Sequence, residues 1–188
     1  VWPPLEVYHT DKVLEQHPEL QDLPGRHVMI SQSVADKISD TKNPQGIFCV
    51  FERALESLDQ AVFADRWLVL EHVQDPANIG ALLRSAAAFG FEGAIFCADC
   101  ADPYSPKAVR ASMSAVARLK LLRADTVAET DGLRGGKIAL LIGNEGNGVS
   151  DEAVEAADLA VRIPMAQGVE SLNAAVAGGV LLWHFRGV

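Results

Sequence analysis

The chain has 188 residues, of which 49% are apolar and 22% charged, and a formal net charge of −9. This is an ordinary soluble globular composition, long enough for one full domain and a smaller appendage. It excludes a membrane-spanning helix, since no apolar run approaches the roughly 20 residues needed, and the net acidity argues against a nucleic-acid partner recruited by overall charge.

Residues Val1 to Glu6 lack the charged-then-apolar build of a signal peptide, so a cytoplasmic setting is expected. The absence of an initiating Met points to an N-terminal part that is missing. A polar stretch runs through Glu15, followed by an expected strand at His27 to Ile30 and a helix from about Gln32 to Ile38. The turn-forming Asn43-Pro44-Gln45-Gly46 then leads into a strand at Ile47 to Phe51. Residues 1–51 are too little for a self-sufficient domain, and a connector over Ala54 to Arg66 follows.

From there strands and helices alternate. Strands are expected at Trp67 to Val73, Ala94 to Ala98, Leu119 to Leu122, Ile138 to Ile142 and Leu159 to Ile163, with helices starting near Pro76, Pro106, Ser150 and Ser171. Such alternation predicts an α/β domain with a mostly parallel sheet covered by helices on both faces. Ligands of such sheets bind beyond the carboxyl ends of the strands. There is no low-complexity tract and no internal repeat. The last helix crowds Ala174, Ala175, Ala177, Gly178 and Gly179 together, and because each internal glycine costs a helix about 1 kcal/mol, close approach of another backbone is expected there.

Cys49, Cys97 and Cys100 are an odd set in mostly apolar surroundings, which suits reduced, buried thiols better than a disulfide framework. Cys97 and Cys100 have CxxC spacing, but no second cysteine pair or nearby His pair completes a zinc site, so no metal is expected. Charge is unevenly spread. No acidic residue falls from Pro103 to Ala124, while Lys107, Arg110, Arg118, Lys120 and Arg123 do, so this region either presents a local positive surface or is a solvated mixed-charge face.

Three segments carry polar residues where the sheet should bind a ligand. In the first, Leu70 to Gly80, Asp75 can cap a helix with Pro76 at its first position and Gly90 closing it. Ala77, Gly80, Ala81 and Ala88 form a stripe of small residues around Arg84, leaving its fork room to lie against a phosphate or carboxylate; snorkelling from a helix–sheet interface is the alternative. Asn78, in the first turn, either bonds a ligand or supports the cap. In the second, the strand Ile138 to Ile142 runs into Gly143-Asn144-Glu145-Gly146-Asn147-Gly148, where glycines let a ligand approach the backbone. Its spacing is neither GxGxxG nor GxxxxGK[ST], and a plain turn is as good a reading. In the third, Ile163-Pro164-Met165 precedes Gly168-Val169-Glu170-Ser171-Leu172-Asn173, with Ser171 a good cap and Asn173 in the first turn, its amide free to face a ligand.

None of these is specific alone, but in this order they resemble the three motifs of the SpoU (TrmH-like) family of the SPOUT superfamily: DxxNxGxxxR with a following Phe-Gly, the IGNEGxG loop, and the IPM…ESLN helix start. The resemblance covers residues 67 to 186, and Thr41 to Val50 looks like the junction after an L30-like RNA-binding domain, of which residues 1–51 would be a remnant. It implies a deep C-terminal trefoil knot, a homodimer, and methylation of an RNA ribose 2′-hydroxyl with S-adenosylmethionine. It assigns the cofactor to Leu141, Ile142, Gly143, Asn144, Gly146, Ile163, Pro164, Met165, Ser171, Leu172 and Asn173. Arg84, Asn78, Glu145, Ser171 and Asn173 match the family's catalytic positions, and Arg84, Lys107, Arg110 and Arg118 are expected to meet RNA. The N-terminal remnant leans toward ribosomal RNA over transfer RNA. Ala174-Ala175 departs from the Val-Ser of many relatives. The competing class is a catalytically silent knotted RNA-binding or assembly factor, while an ordinary dinucleotide-binding enzyme lacks its GxGxxG turn here.

Overall fold

A computed structural model describes residues 3–53, 56–58, 65–133, 138–144 and 146–186. The chain divides into two compact units, Val1–Arg53 and Ala54–Val188. Among the described residues no helix is long and apolar enough to cross a membrane.

The first unit contains β1 (Glu6–His9), α1 (Asp11–Gln16), β2 (Arg26–Met29), α2 (Gln32–Ile38) and β3 (Ile47–Val50). β1 lies in the middle of the sheet, parallel to β2 and antiparallel to β3. It falls inside the stretch read as merely polar. Val7 and His9 are buried while Glu6 and Tyr8 are half-buried, so the period of two is present but only one aliphatic residue announces it. Ser31 caps α2, its Oγ accepting from the Val34 amide at 3.4 Å.

The second unit holds β4 (Glu56–Ser57), β5 (Arg66–Glu71), α3 (Pro76–Ala88), β6 (Gly93–Cys97), α4 (Pro106–Ser112), β7 (Lys120–Ala124), β8 (Ile138–Ile142), α5 (Asp151–Ala156) and α6 (Ala174–His184). Its sheet has the order β4-β7-β6-β5-β8 and every pairing is parallel. β4 lies within the segment expected to be a connector and pairs with β7.

Alternate residues of the buried strands face opposite layers. Leu68, Leu70, Phe96, Leu121 and Ile142 pack with Ile79, Leu82 and Leu83 of α3 and Leu182 of α6. Trp67, Val69, Ile95 and Leu122 face the other way, toward Ala153 of α5 and Val127. Both faces are therefore covered, as strands rich in large aliphatics on both sides require. A Cβ on Gly93 would stand 2.1 Å from the Trp67 ring, so the tryptophan lies where only glycine leaves room.

The helix boundaries follow local chemistry. Asp75 accepts from the Ala77 amide at 3.0 Å, Pro76 opens α3, and Gly90 follows it with φ +79°. The stripe of small residues on α3 serves helix packing. A Cβ on Gly80 would meet the Ala108 carbonyl oxygen at 2.4 Å and Ala111 Cβ at 2.5 Å, both on α4. In α6 the two glycines differ: a Cβ on Gly178 would meet Leu82 Cδ2 at 2.2 Å, whereas one on Gly179 finds only Ser85 Oγ at 3.9 Å. What approaches Gly178 is the Leu82 side chain and not the backbone expected there, and nothing crowds Gly179.

One expected strand is absent. Residues 159–163 form no ladder, and Leu159 and Val161 are 71% and 44% exposed. Alternating Leu-Ala-Val-Arg-Ile sets which side chains share a side, but a strand needs a partner backbone, and the described residues supply none.

Candidate active site

β5 stands between β6, reached through α3, and β8, which the chain enters after β7 on the other side of β6. The chain thus changes direction at β5, and the carboxyl ends of β5 and β8 flank a switch point where ligands of open α/β sheets bind. The three sequence segments of interest meet there. β5 ends at Glu71 and leads through His72 to the Asp75 cap of α3; β8 ends at Ile142 and leads into the glycine-rich loop.

That loop closes on itself. Asn144 and Gly148 exchange backbone hydrogen bonds of 2.9 Å each, and the Asn144 Oδ1 accepts from the Gly146 amide at 2.7 Å. Asn144 Nδ2 donates to the His72 carbonyl oxygen at 3.0 Å, tying the loop to the end of β5. Gly143 is required: a Cβ there would lie 2.1 Å from the Gly148 carbonyl oxygen. Leu141 is half-buried and Ile142 buried behind the loop, while Gly146 is exposed. Glu145 lies outside the described residues.

Glu71 is the anchor that sequence reading passed over. Only 5% exposed, it accepts from the Ser150 amide at 2.9 Å and from Ser150 Oγ at 2.6 Å, and the same Oγ accepts from the Ala153 amide to cap α5. An acidic residue ending the otherwise apolar run Trp67-Leu68-Val69-Leu70 was the available signal. Glu71→Ala is expected to destabilise the protein by about 1–3 kcal/mol, because a buried acceptor is removed and its donors are left unmatched. Urea unfolding checks this, with Glu71→Gln losing less than alanine.

Asn78 and Asn173 depart from their sequence reading. Asn78 is 9% exposed, not in an open first turn, and its Oδ1 accepts from Asn173 Nδ2 at 3.0 Å. Asn173, not Ser171, caps α6: its Oδ1 accepts from the Ala175 and Val176 amides at 3.0 and 3.3 Å. The Asn173 amide is engaged at both ends and pins the start of α6 to the start of α3. Ser171, two residues earlier, is exposed and Leu172 half-buried. Ile163 is half-buried, and Pro164 and Met165 are exposed.

Arg84 lies on the exposed side of α3 and makes no hydrogen bond or ion pair among the described residues. Lys107, expected to meet RNA, reaches from α4 to Asp75 Oδ1 at 2.7 Å. Its ammonium, helped by the Ala77 amide, holds the Asp75 carboxyl below its ordinary range. Arg110 and Arg118 are exposed on and after α4, as are Lys120 and Arg123 on β7. A second group absent from the sequence reading is formed by His72, Gln74 and Asp99. The His72 Nδ1 pairs with Asp99 Oδ1, and Gln74 Nε2 donates to Asp99 Oδ2 at 2.9 Å. His72 and Asp99 each follow the end of a buried strand, β5 and β6, which are paired neighbours.

The CxxC pair is structural in its surroundings. Cys97 is buried in the core layer below the sheet, and desolvation pushes its thiol up to about 12. Burial likewise raises Cys100 to about 11, and its Sγ donates to the Leu70 carbonyl oxygen at 3.3 Å. Cys49, expected to be buried, is exposed on β3. Among the described residues no group of three or more His, Cys, Asp or Glu is placed to hold a metal ion.

A parallel α/β sheet with a close-packed loop and a capped helix at its switch point matches proteins of known structure and name. The AdoMet-bound rRNA methyltransferase from Sinorhizobium meliloti superposes with a TM-score of 0.83 at 25% identity, over 99% of this chain and 82% of that one. An uncharacterized tRNA/rRNA methyltransferase of Synechocystis is 34% identical over 84% of this chain and 66% of its own length. The 23S rRNA (guanosine(2553)-2′-O)-methyltransferase RlmP of Bacillus subtilis is 29% identical over 85% of this chain and 72% of its own length. The class defined by this fold and site is the S-adenosylmethionine-dependent RNA methyltransferases. The model of the SpoU rRNA Methylase family matches residues 65–134 and 128–183, and the chain belongs to that family.

Proposed function

We propose that the chain methylates a ribose 2′-hydroxyl of RNA, in ribosomal rather than transfer RNA. The observation carrying this reading is the meeting of three distant segments at one end of the sheet, through the bonds of Asn173 to Asn78 and of Asn144 to His72. The Bacillus subtilis relative, whose name specifies 2′-O-methylation of 23S rRNA, supports both the position of methylation and the kind of RNA.

S-adenosylmethionine is held, on this reading, by Leu141, Ile142, Gly143, Asn144 and Gly146, by Ile163, Pro164 and Met165, and by Ser171, Leu172 and Asn173. Their chemistry fits: half-buried Leu141, Ile163 and Leu172 suit a flat purine, and a loop so tight that Gly143 tolerates no Cβ offers backbone groups at short range. When bound, the cofactor supplies a methyl on a positively charged sulfur. Transfer requires the hydroxyl oxygen in line with that sulfur, so holding both partners is a large share of the rate. Asn78 and Asn173 fix the relation of α3 to α6. Arg84, with Lys107, Arg110 and Arg118, meets the RNA backbone, and the Arg84 fork suits a phosphate next to the reacting ribose. A guanidinium with a pKa above about 12 orients or acidifies the hydroxyl and is a poor base. Glu145 stands in the family position of an orienter of Arg84, and Ser171 lines the reaction site.

The reading extends to architecture. Val176, Val180 and Trp183, at helical spacing on α6, are 54%, 46% and 54% exposed, and such a stripe supports a homodimer packed on this helix. Threading of α6 as a trefoil knot belongs to the same reading and rests on the family resemblance of the three segments. The first unit, a three-stranded sheet with two helices, is taken as the remnant of an L30-like RNA-binding domain. Free cysteines at 49, 97 and 100 suit a reducing cytoplasm.

Calorimetry with S-adenosylmethionine and tritium transfer to ribosomal RNA test the proposal. The expected result is binding and label that resists alkaline cleavage at the modified linkage. Label on a base would refute ribose as acceptor, and neither binding nor transfer would favour a silent knotted assembly factor.

A further inference from the structure

The ribose reading leaves one role unassigned, that of the group which takes the proton from the attacking hydroxyl. Resting on that reading, we propose that His72 is this general base and that Asp99 is its positioning residue.

Three observations converge on the pair. His72 follows directly on β5 at the switch point, and its carbonyl oxygen accepts from Asn144 of the glycine-rich loop at 3.0 Å. Its backbone has φ +54°, a left-handed conformation uncommon outside glycine, though histidine is among the residues that accept it best. Finally, the imidazole is oriented. Nδ1 pairs with Asp99 Oδ1, while Asp99 Oδ2 accepts from Gln74 Nε2 at 2.9 Å, so neither carboxylate oxygen is left to swing.

With Nδ1 donating to the carboxylate, the neutral ring carries its lone pair on Nε2. That nitrogen has no partner among the described residues, and the side chain is 47% exposed. A base held by a carboxylate on its far nitrogen is the arrangement that proton abstraction from a hydroxyl uses. As an ion pair it does little for folding, since both partners are largely exposed.

The surrounding charges are compatible. Asp99 faces the ring from the segment after β6. The next carboxylate along the His72 loop, Asp75, is neutralised by Lys107 of α4. Glu71, immediately before His72, is committed to Ser150. The Cys100 thiol, one residue after Asp99, stays protonated, its pKa pushed up to about 11. The imidazole also holds the Asp99 carboxyl below its ordinary range.

The step balances. The ribose O–H bond breaks and its proton passes to Nε2, while the oxygen forms a bond to the methyl carbon. The carbon–sulfur bond breaks with its electron pair left on sulfur. Products are the methyl ether, a neutral thioether and an imidazolium, so the positive charge lost at sulfur reappears on His72 beside Asp99, and water then takes the proton.

Single-turnover methyl transfer to ribosomal RNA, measured from pH 5.5 to 9 (a window of about 1 to 2.5 units either side of an ordinary imidazole pKa), tests this. Wild-type protein is expected to gain rate with pH through an imidazole titration and then level off. His72→Asn, which tolerates the left-handed backbone, is expected to lose roughly 100-fold in rate together with that acid limb, while binding S-adenosylmethionine unchanged by calorimetry. Asp99→Asn should lower the rate at every pH while leaving S-adenosylmethionine binding unchanged. In NMR without cofactor or RNA, the neutral His72 ring of the wild-type protein should carry its proton on Nδ1, and the same variant should lose that tautomer preference. A His72→Asn protein with wild-type rate and acid limb, or an Asp99→Asn protein with wild-type rate and an unchanged His72 tautomer, overturns the assignment alone. Wild-type protein that transfers no methyl to ribose overturns the underlying reading, and this assignment falls with it.

Discussion

Arg84→Ala is expected to lower methyl transfer by roughly 100-fold or more, as removal of one charge-stabilising donor does elsewhere, with the thermal unfolding midpoint unchanged. Both halves follow from its position. The side chain is exposed on α3 and has no hydrogen bond or ion pair among the described residues, so nothing in the folded protein is lost with it. Alanine is the best helix former, and surface changes of this kind stay within about 0.5 kcal/mol. The guanidinium therefore has its effect on bound RNA and not on the fold. Arg84→Lys separates geometry from charge: if a two-pronged grip on phosphate is what counts, lysine recovers little. Single-turnover transfer alongside a melting curve measures both quantities. Full activity in Arg84→Ala would remove the residue from the mechanism.

Gly143→Ala is expected to weaken S-adenosylmethionine binding by about 10- to 100-fold, the equivalent of 1–3 kcal/mol of overpacking. The new methyl would stand 2.1 Å from the Gly148 carbonyl oxygen, 2.4 Å from the Gly148 carbonyl carbon and 2.6 Å from the Val149 amide nitrogen. All three are backbone atoms, so no side chain can swing aside, and the Asn144–Gly148 pairing must open. The damage is local because the glycine follows β8 instead of lying in it. Gly148→Ala is the control. Gly148 has φ +72° but nothing within 4 Å of its would-be Cβ, so that variant meets backbone strain without a clash and should bind better than Gly143→Ala. Calorimetry ranks the two, and equal affinities would mean the closed loop is not what holds the cofactor.

Much of this was legible from residues alone. The cap at Asp75, Pro76 at the head of α3, Gly90 past its end and a helix starting near Ser150 are read within a few positions of chain, and each stands where the sequence implies. The buried strands β5, β6 and β8 announce themselves as aliphatic runs. The Leu159 to Ile163 pattern misled because alternation describes one strand's side chains and says nothing of a partner. Asn173 was assigned to a first turn because Ser171 is an equally good cap by residue type, and the choice between them is made by Asn78, 95 positions away.

The sequence by itself determined the α/β class, the start and end of α3 and the three segments whose order marks the SpoU family, since these depend on neighbours along the chain. Only the tertiary structure decided what those segments do to one another. Asn173 clasps Asn78, Ser150 binds Glu71 across 79 positions, and His72 meets Asp99 across 27. The Glu71–Ser150 and His72–Asp99 pairings follow from strand order: with β5 between β6 and β8, the residues that leave these strands come together at one end of the sheet.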